Sequence, residues 1–245
     1  MKIGIIGGTG RMGSGLALRL TKKHDVLITS RNIEKAVNTA KELEAIARAF
    51  YKNSMQGSIQ GTSEIDATKQ SETVIITVPP DSALSVVQEL KPYFRSEQIV
   101  VSAVVSMKKK QGTFRHVPLS KSSPTNVFAE IEEHKSTAEL IREIIKPTSV
   151  VSALHTVPAS YLSNLEETQD IDVFVAGNED AAVDTVSKLI CEIPNLRPLK
   201  VGPLENSRAI ESMTPLLLNV ATLNNLKDPS IRIVPWVPPA YGACA

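Results

Sequence analysis

The 245-residue chain carries 27 basic and 26 acidic side chains, a formal charge of +1, and 42% hydrophobic residues. Its length supports a sound core in one large domain or in one medium and one small domain, and its balanced charge gives no electrostatic case for nucleic acid or an anionic membrane surface. No apolar run nears the roughly 20 residues of a membrane-spanning helix. The two cysteines, Cys191 and Cys244, have neither metal spacing nor a disulfide framework, so a reducing, cytoplasmic setting is expected, with Cys191 a core residue and no metal site.

In chain order, Lys2 to Ile6 is a short apolar run bounded by glycine and reads as a buried strand. A strand starting at Lys2 is expected to leave no room for a signal peptide. Gly8, Gly10 and Gly13 then satisfy G-x-G-x-x-G and open a helix over Arg11 to Lys23, with Met12, Leu16 and Leu20 on one face. A second strand, Val26 to Ile28, ends in Thr29-Ser30-Arg31. Strand, glycine turn, helix and strand form the context in which this motif holds a dinucleotide, because the backbone must lie against a pyrophosphate at a helix N-terminus. The end of the second strand sets the nucleotide. Ser30, Arg31 and Lys35 stand where an acidic residue would accept from a ribose 2′-hydroxyl, and Thr9 adds a hydroxyl from the loop. That set suits a 2′-phosphate and therefore NADP. The alternative is that Arg31 and Lys35 are solvated charges paired with Glu34.

Asn32 to Asn53 reads as a long helix capped by Asn32, Ser58 to Gly61 as a weak strand and Glu64 to Gln70 as a short helix. Thr73 to Val78 is a strong buried strand stopped by Pro79-Pro80, so Val78, Pro79 and Pro80 are expected to line the nucleotide cleft at the strand's carboxyl end. Asp81 or Ser82 caps a helix over Ala83 to Phe94, and Gln98 to Ala103 is a fifth strand. Ser106 to Thr125 is polar and basic and reads as a loop on the ligand side. Within it Lys108-Lys109-Lys110 is either a solvated run or a contact for an anionic ligand. A helix over Phe128 to Lys146, divided near Ser136, and a strand over Ser149 to Leu154 follow. This alternation predicts an α/β fold, a Rossmann-like doubly wound parallel sheet, over residues 1–154. Residues 155–245 are expected to form a smaller C-terminal α/β domain. It contains strands Asp172 to Gly177 and Leu199 to Gly202, a helix from Asn178 or Glu179 through Ile193, a helix over Leu204 to Leu226 that Pro215 either kinks or divides into two pieces, a closing strand Ile231 to Val234, and an irregular tail from Pro235 to Ala245.

Several stretches go beyond a generic nucleotide loop. They are Gly15-Leu16-Ala17-Leu18-Arg19-Leu20 behind the glycines, Ser152-Ala153-Leu154-His155-Thr156-Val157-Pro158-Ala159, Arg197-Pro198-Leu199, and Gly202-Pro203-Leu204 with Asn206-Ser207-Arg208 and Glu211-Ser212. Through them most of Met1 to Val234 resembles the F420-dependent NADP oxidoreductases, also called NADPH-dependent coenzyme F420 reductases. The resemblance implies hydride exchange between NADP(H) and the deazaflavin coenzyme F420. It implies that Thr9, Ser30, Arg31 and Lys35 hold the 2′-phosphate, that Gly10, Arg11 and Met12 line the pyrophosphate, and that Pro80, Leu84, Met107 and Ala159 touch the rest of the nucleotide. The deazaflavin would lie between the large and small domains near His155, Val157 and Pro229. The chain departs from the family pattern in a longer, more basic segment over Ser106 to Thr125, in Pro80 where an aromatic residue is familiar, and in the tail after Val234.

Such chemistry is mostly positioning, with reacting carbons held roughly 3–3.5 Å apart in a dry cleft. His155 is then either a proton donor or a residue that satisfies buried backbone groups, and Val157 sets ring spacing by packing. His24, His116 and His134 fall on segments expected at the surface and receive no role. The partners expected are the two small-molecule cofactors and further copies of the chain as a homodimer or higher homo-oligomer, with no nucleic acid and no membrane. Two alternatives remain open: an NADP-linked reductase of a small imine or keto acid, whose relatives carry an all-helical second domain, and a non-catalytic NADP sensor. No Tyr is followed four positions later by Lys, which excludes the catalytic short-chain dehydrogenase version.

Overall fold

The computed structural model describes residues 1–119 and 135–235. Among them, strands β1 (Lys2–Ile6), β2 (Asp25–Thr29), β3 (Ile59–Thr62), β4 (Thr73–Ile76), β5 (Ile99–Ser102), β8 (Ser149–Ser152), β9 (Ile171–Gly177) and β10 (Leu196–Lys200) form one sheet in the order β10-β9-β8-β5-β4-β1-β2-β3. The six strands from β3 to β8 pair in parallel. β9 then joins β8 antiparallel and β10 follows β9 in parallel, so the C-terminal strands continue the same sheet. A small hairpin of β6 (Met107–Lys110) and β7 (Thr113–His116) stands apart from it.

Helices cover both faces, as a parallel sheet requires. Strand residues alternate between two cores. Ile3, Ile5, Ile75, Val101 and Val151 meet α1 (Arg11–Leu20) and α7 (Asp180–Cys191) on one side. Ile6, Val74, Ile76, Val100 and Val150 meet α4 (Pro80–Leu90) and α5 (Thr137–Ile145) on the other. α2 (Ile33–Tyr51) starts where expected, with the Asn32 side chain accepting from the Lys35 amide at 3.2 Å. α3 (Glu64–Gln70) is capped by Ser63. The described part of the helix expected over Phe128 to Lys146 begins at Ser136, which forms a reciprocal capping box with Glu139. Its earlier residues, 128–134, lie outside the described residues, as do His134, residues 120–125 of the basic segment, and the tail over 236–245 with Cys244.

Some local expectations are corrected. The stretch read as a loop after Ser106 contains the β6–β7 hairpin. Its two turn residues, Gln111 and Gly112, both have positive φ, at 51° and 82°, the twist that joins antiparallel strands tightly. α4 begins at Pro80 on a Pro79 cap, so neither Asp81 nor Ser82 caps it. β8 ends at Ser152, short of the expected Leu154, and a short helix, α6 (Ala159–Ser163), starts directly after Pro158, where the missing proline N–H costs nothing. α8 (Ser207–Asn224) runs through Pro215 as one helix, so of the two alternatives the division into two pieces does not hold. Ile231 to Val234 is not a strand. It is tied instead to β9 and β10, by the Asp172 amide donating to the Ile231 carbonyl and by Arg197 donating to the Ile233 carbonyl. Cys191 is half-buried and disulfide-bonded, which corrects the expected core residue without a disulfide. None of the helices searched among the described residues is long and apolar enough to cross a membrane.

Candidate functional site

Parallel pairing from β3 to β8 puts the carboxyl ends of these strands on one edge, and the order reverses direction between β1 and β4. Ligands of open α/β sheets bind in the crevice at such a reversal. Gly8, Thr9, Gly10, Arg11 and Met12 follow β1 there. Ser30, Arg31 and Lys35 follow β2, Val78, Pro80 and Leu84 follow β4, Met107 follows β5, and His155, Val157 and Ala159 follow β8.

The glycine loop is drawn against its neighbours from two sides. The Gly7 amide donates to Thr29 Oγ1 at 3.2 Å, at the end of β2. Val78 lies on the other side, within 3.0 Å of where a Gly7 side chain would project. Gly10 caps α1 without any side-chain hydrogen bond, and the first turn of α1 contains no acidic residue. The start of this helix therefore offers N–H groups and a positive dipole end with no acidic side chain of its own first turn to neutralise them, which fits a pyrophosphate. Arg31 and Lys35 are exposed beside the loop. Sequence reasoning missed Glu64 at this corner. Burial, then Glu89, raises the Glu64 carboxyl above its ordinary range, and Arg31 opposes the shift.

The opposite wall is α6 with the chain that flanks it. Gly15 of α1 is packed so closely on Leu162 that a Cβ there would stand 2.6 Å from the Leu162 Cβ. Arg19, one turn further along α1, is buried and donates to the carbonyls of Tyr161, Leu162, Asn164, Leu165 and Glu167 at 2.6–3.4 Å. Pro229 is brought to the same wall. Its neighbour Asp228 accepts from Ser160 Oγ at 2.7 Å, and its other neighbour Ser230 donates to the Thr156 carbonyl at 2.7 Å. Val157, Ala159 and Pro229 thus come together, with Val157 buried and the other two half-buried.

His155 is 7% exposed, and among the described residues neither ring nitrogen has a hydrogen-bond partner. Burial lowers its pKa below the ordinary value, and the nearby Glu211 carboxylate and the Val104 backbone oppose that shift. Glu211, 1% exposed, accepts from the amides of Thr137 and Ala138 at 3.0 and 3.1 Å, the first two residues of α5. Its carboxylate lies 3.8 Å from Nε2 of His116, which is half-buried on β7. His116 and the buried His24, which pairs with Glu192, therefore do not sit on open surface as expected. Ser102 and Ser152, register partners at the ends of β5 and β8, have buried hydroxyls with no hydrogen-bond partner among the described residues. Orphaned polar atoms beside a buried apolar wall fit the polar edge of a planar ring system.

Residues 2–106 match the family model described as NADP oxidoreductase, coenzyme F420-dependent. The F420-dependent NADP reductase of Methanocaldococcus jannaschii is 35% identical over 233 residues, covering 95% of this chain and 98% of that protein. The chain belongs to the F420-dependent NADP reductase family. The F420-dependent NADP reductase of Methanothermobacter marburgensis is 32% identical over 237 residues, covering 95% of this chain and 98% of its own. A solved structure from Arthrobacter sp. FB24, provisionally described as an F420-dependent NADP-reductase, superposes with a TM-score of 0.72 over 96% of this chain and 99% of its own. At 19% identity that likeness speaks for the fold alone. Arg19 and Glu211 lie within stretches that carry the family resemblance, yet their structural partners were not foreseen. The available signal was a charged residue inside an otherwise apolar helical run.

Proposed function

We propose that this chain transfers a hydride between NADP(H) and coenzyme F420. The observation that carries the reading is the pairing of two walls on one sheet edge. A glycine-opened helix without a side-chain cap stands on one side, and the Tyr161–Glu167 stretch that follows His155–Ala159 is latched to the same helix on the other. Identity of 35% across nearly the whole of a named family enzyme supports it.

When bound, the nicotinamide and the deazaflavin supply the hydride chemistry between them. The chain's own part is to bind, orient and exclude water. Gly8, Thr9, Gly10, Arg11 and Met12 hold the pyrophosphate side. Ser30, Arg31 and Lys35 read the 2′-phosphate, and Val78, Pro80, Leu84, Met107 and Ala159 line the remaining nucleotide path. Val157 and Pro229 form the apolar face for the second ring. His155, kept neutral by burial, orients a polar ring edge or holds a proton at one ring nitrogen. Residues 155–245 act as the part that closes the cleft, the chain works in the cytoplasm, and it assembles as a homo-oligomer. Strands β9 and β10 weigh against the imine-reductase alternative with its all-helical second domain.

The purified protein is mixed with NADPH and oxidised coenzyme F420 while deazaflavin absorbance is followed. The expected result is bleaching with NADPH and far slower bleaching with NADH. Unchanged absorbance, with NADPH binding intact, would overturn the reading in favour of a sensor.

A further inference from the structure

Beyond Met107, the β6–β7 hairpin is a part of the ligand edge to which the family resemblance gives no role. Its register pairs Lys108 with Arg115 and Lys110 with Thr113 on one face, and Met107 with His116 and Lys109 with Phe114 on the other. Successive strand residues alternate faces, so Lys108, Lys110 and Arg115 share a side, and all three are exposed. Lys108 and Arg115 stand directly opposite each other, an arrangement of like charges that destabilises a hairpin unless an anion lies between or above them. None of the three forms an ion pair with a carboxylate among the described residues. Met107 to His116 contains four lysines and arginines and no acid, in a chain whose net charge is only +1.

The arm is firmly held at the rim of the cleft. The Phe114 amide donates to Asn219 Oδ1 at 2.6 Å, and Asn219 Nδ2 donates to the Phe114 carbonyl at 2.8 Å, which pins β7 to α8. At its base, His116 faces the buried Glu211 that lies beside His155. Lys110 is three residues from that base, roughly 10 Å along an extended strand. A ring seated near His155 with an anionic chain leaving the cleft would pass this charged face. Coenzyme F420 has that shape: its ring carries a ribityl chain that continues into a phosphodiester and glutamate carboxylates.

We propose that Lys108, Lys110 and Arg115 bind the anionic phosphodiester–glutamate tail of coenzyme F420. This rests on the function proposed above. Its test is a binding measurement. Quenching of deazaflavin fluorescence is titrated at low and high salt for coenzyme F420, for a form with the phosphodiester but no glutamates, and for the tail-less deazaflavin riboside. The wild type is compared with a Lys108→Gln/Lys110→Gln/Arg115→Gln variant.

The wild type is expected to bind the full coenzyme roughly tenfold tighter than the tail-less riboside, about what a few screened surface contacts give. Salt should erode that advantage. The variant should lose it while binding the riboside and NADPH as the wild type does, which also shows that it is folded. The intermediate form divides the gain between phosphate and carboxylates. Equal wild-type affinity for the full coenzyme and the riboside overturns this assignment alone, as does a variant that keeps the difference or loses NADPH instead. Binding of neither deazaflavin overturns the parent function as well.

Discussion

His155 is a buried base whose ring nitrogens have no hydrogen-bond partner among the described residues, and its protonation couples to stability. Its ordinary pKa is 6.5, and burial lowers it in the fold, with Glu211 opposing. Below that ordinary value the unfolded chain takes up a proton that folded His155 declines. The stability contribution is therefore complete above about pH 6.5 and is lost as pH falls, with a slope of up to about 1.4 kcal/mol per pH unit. Urea unfolding of the wild type between pH 7.5 and 5 should show this loss, and His155→Gln should lack that component. Parallel profiles would mean that His155 titrates alike in the folded and the unfolded chain, with no shift on folding. At this scale much of the nucleotide side was legible in sequence, because Gly8, Gly10 and Gly13 act through backbone geometry that a local motif encodes. The environment of His155 was not, since Glu211 lies far along the chain and only packing brings it near.

Among the elements, the contact of α6 on α1 organises the second wall. Arg19 is 4% exposed and has only backbone carbonyls as acceptors, with the Tyr161 ring 4.9 Å from its guanidinium carbon. A buried cation is tolerable when its donors are filled, and five carbonyls from α6 and the loop after it fill them. Arg19→Met would leave those carbonyls without their donor. A loss of about 3 kcal/mol in chemical denaturation is expected. Arg19→Lys should recover only part of it, because an ammonium lacks the planar fork that reaches several acceptors at once. A loss below about 1 kcal/mol for the Met variant would show that the clasp is dispensable. Helix starts at Asn32 and Ser63 were readable because a cap acts within one turn. The hairpin escaped notice because charge rather than apolar alternation dominates β6, although Gln111-Gly112 marks its turn.

For the molecule as a whole, the C-terminal strands share the core of the dinucleotide-binding part. One apolar cluster runs from Ile3 and Leu16 through Val151 and Val173 to Leu196. β9 also hydrogen bonds to β8. A cleft-closing portion that is part of the same sheet should not unfold by itself. Urea denaturation followed by far-UV circular dichroism and by a probe placed on α7 should therefore give one coincident transition. Two separated transitions would establish an independent C-terminal domain.

The amino-acid sequence by itself determined the main alternation of strands and helices in the sheet and the glycine turn that opens α1. Each depends on neighbours within a few residues, through apolar period, capping and glycine spacing. Only the tertiary structure decided that β9 turns antiparallel onto β8, that Arg19 clasps a loop more than 140 residues away, and that Glu211 fills the start of α5. Those choices follow from which buried polar group finds which partner across the core, and no local pattern carries that information.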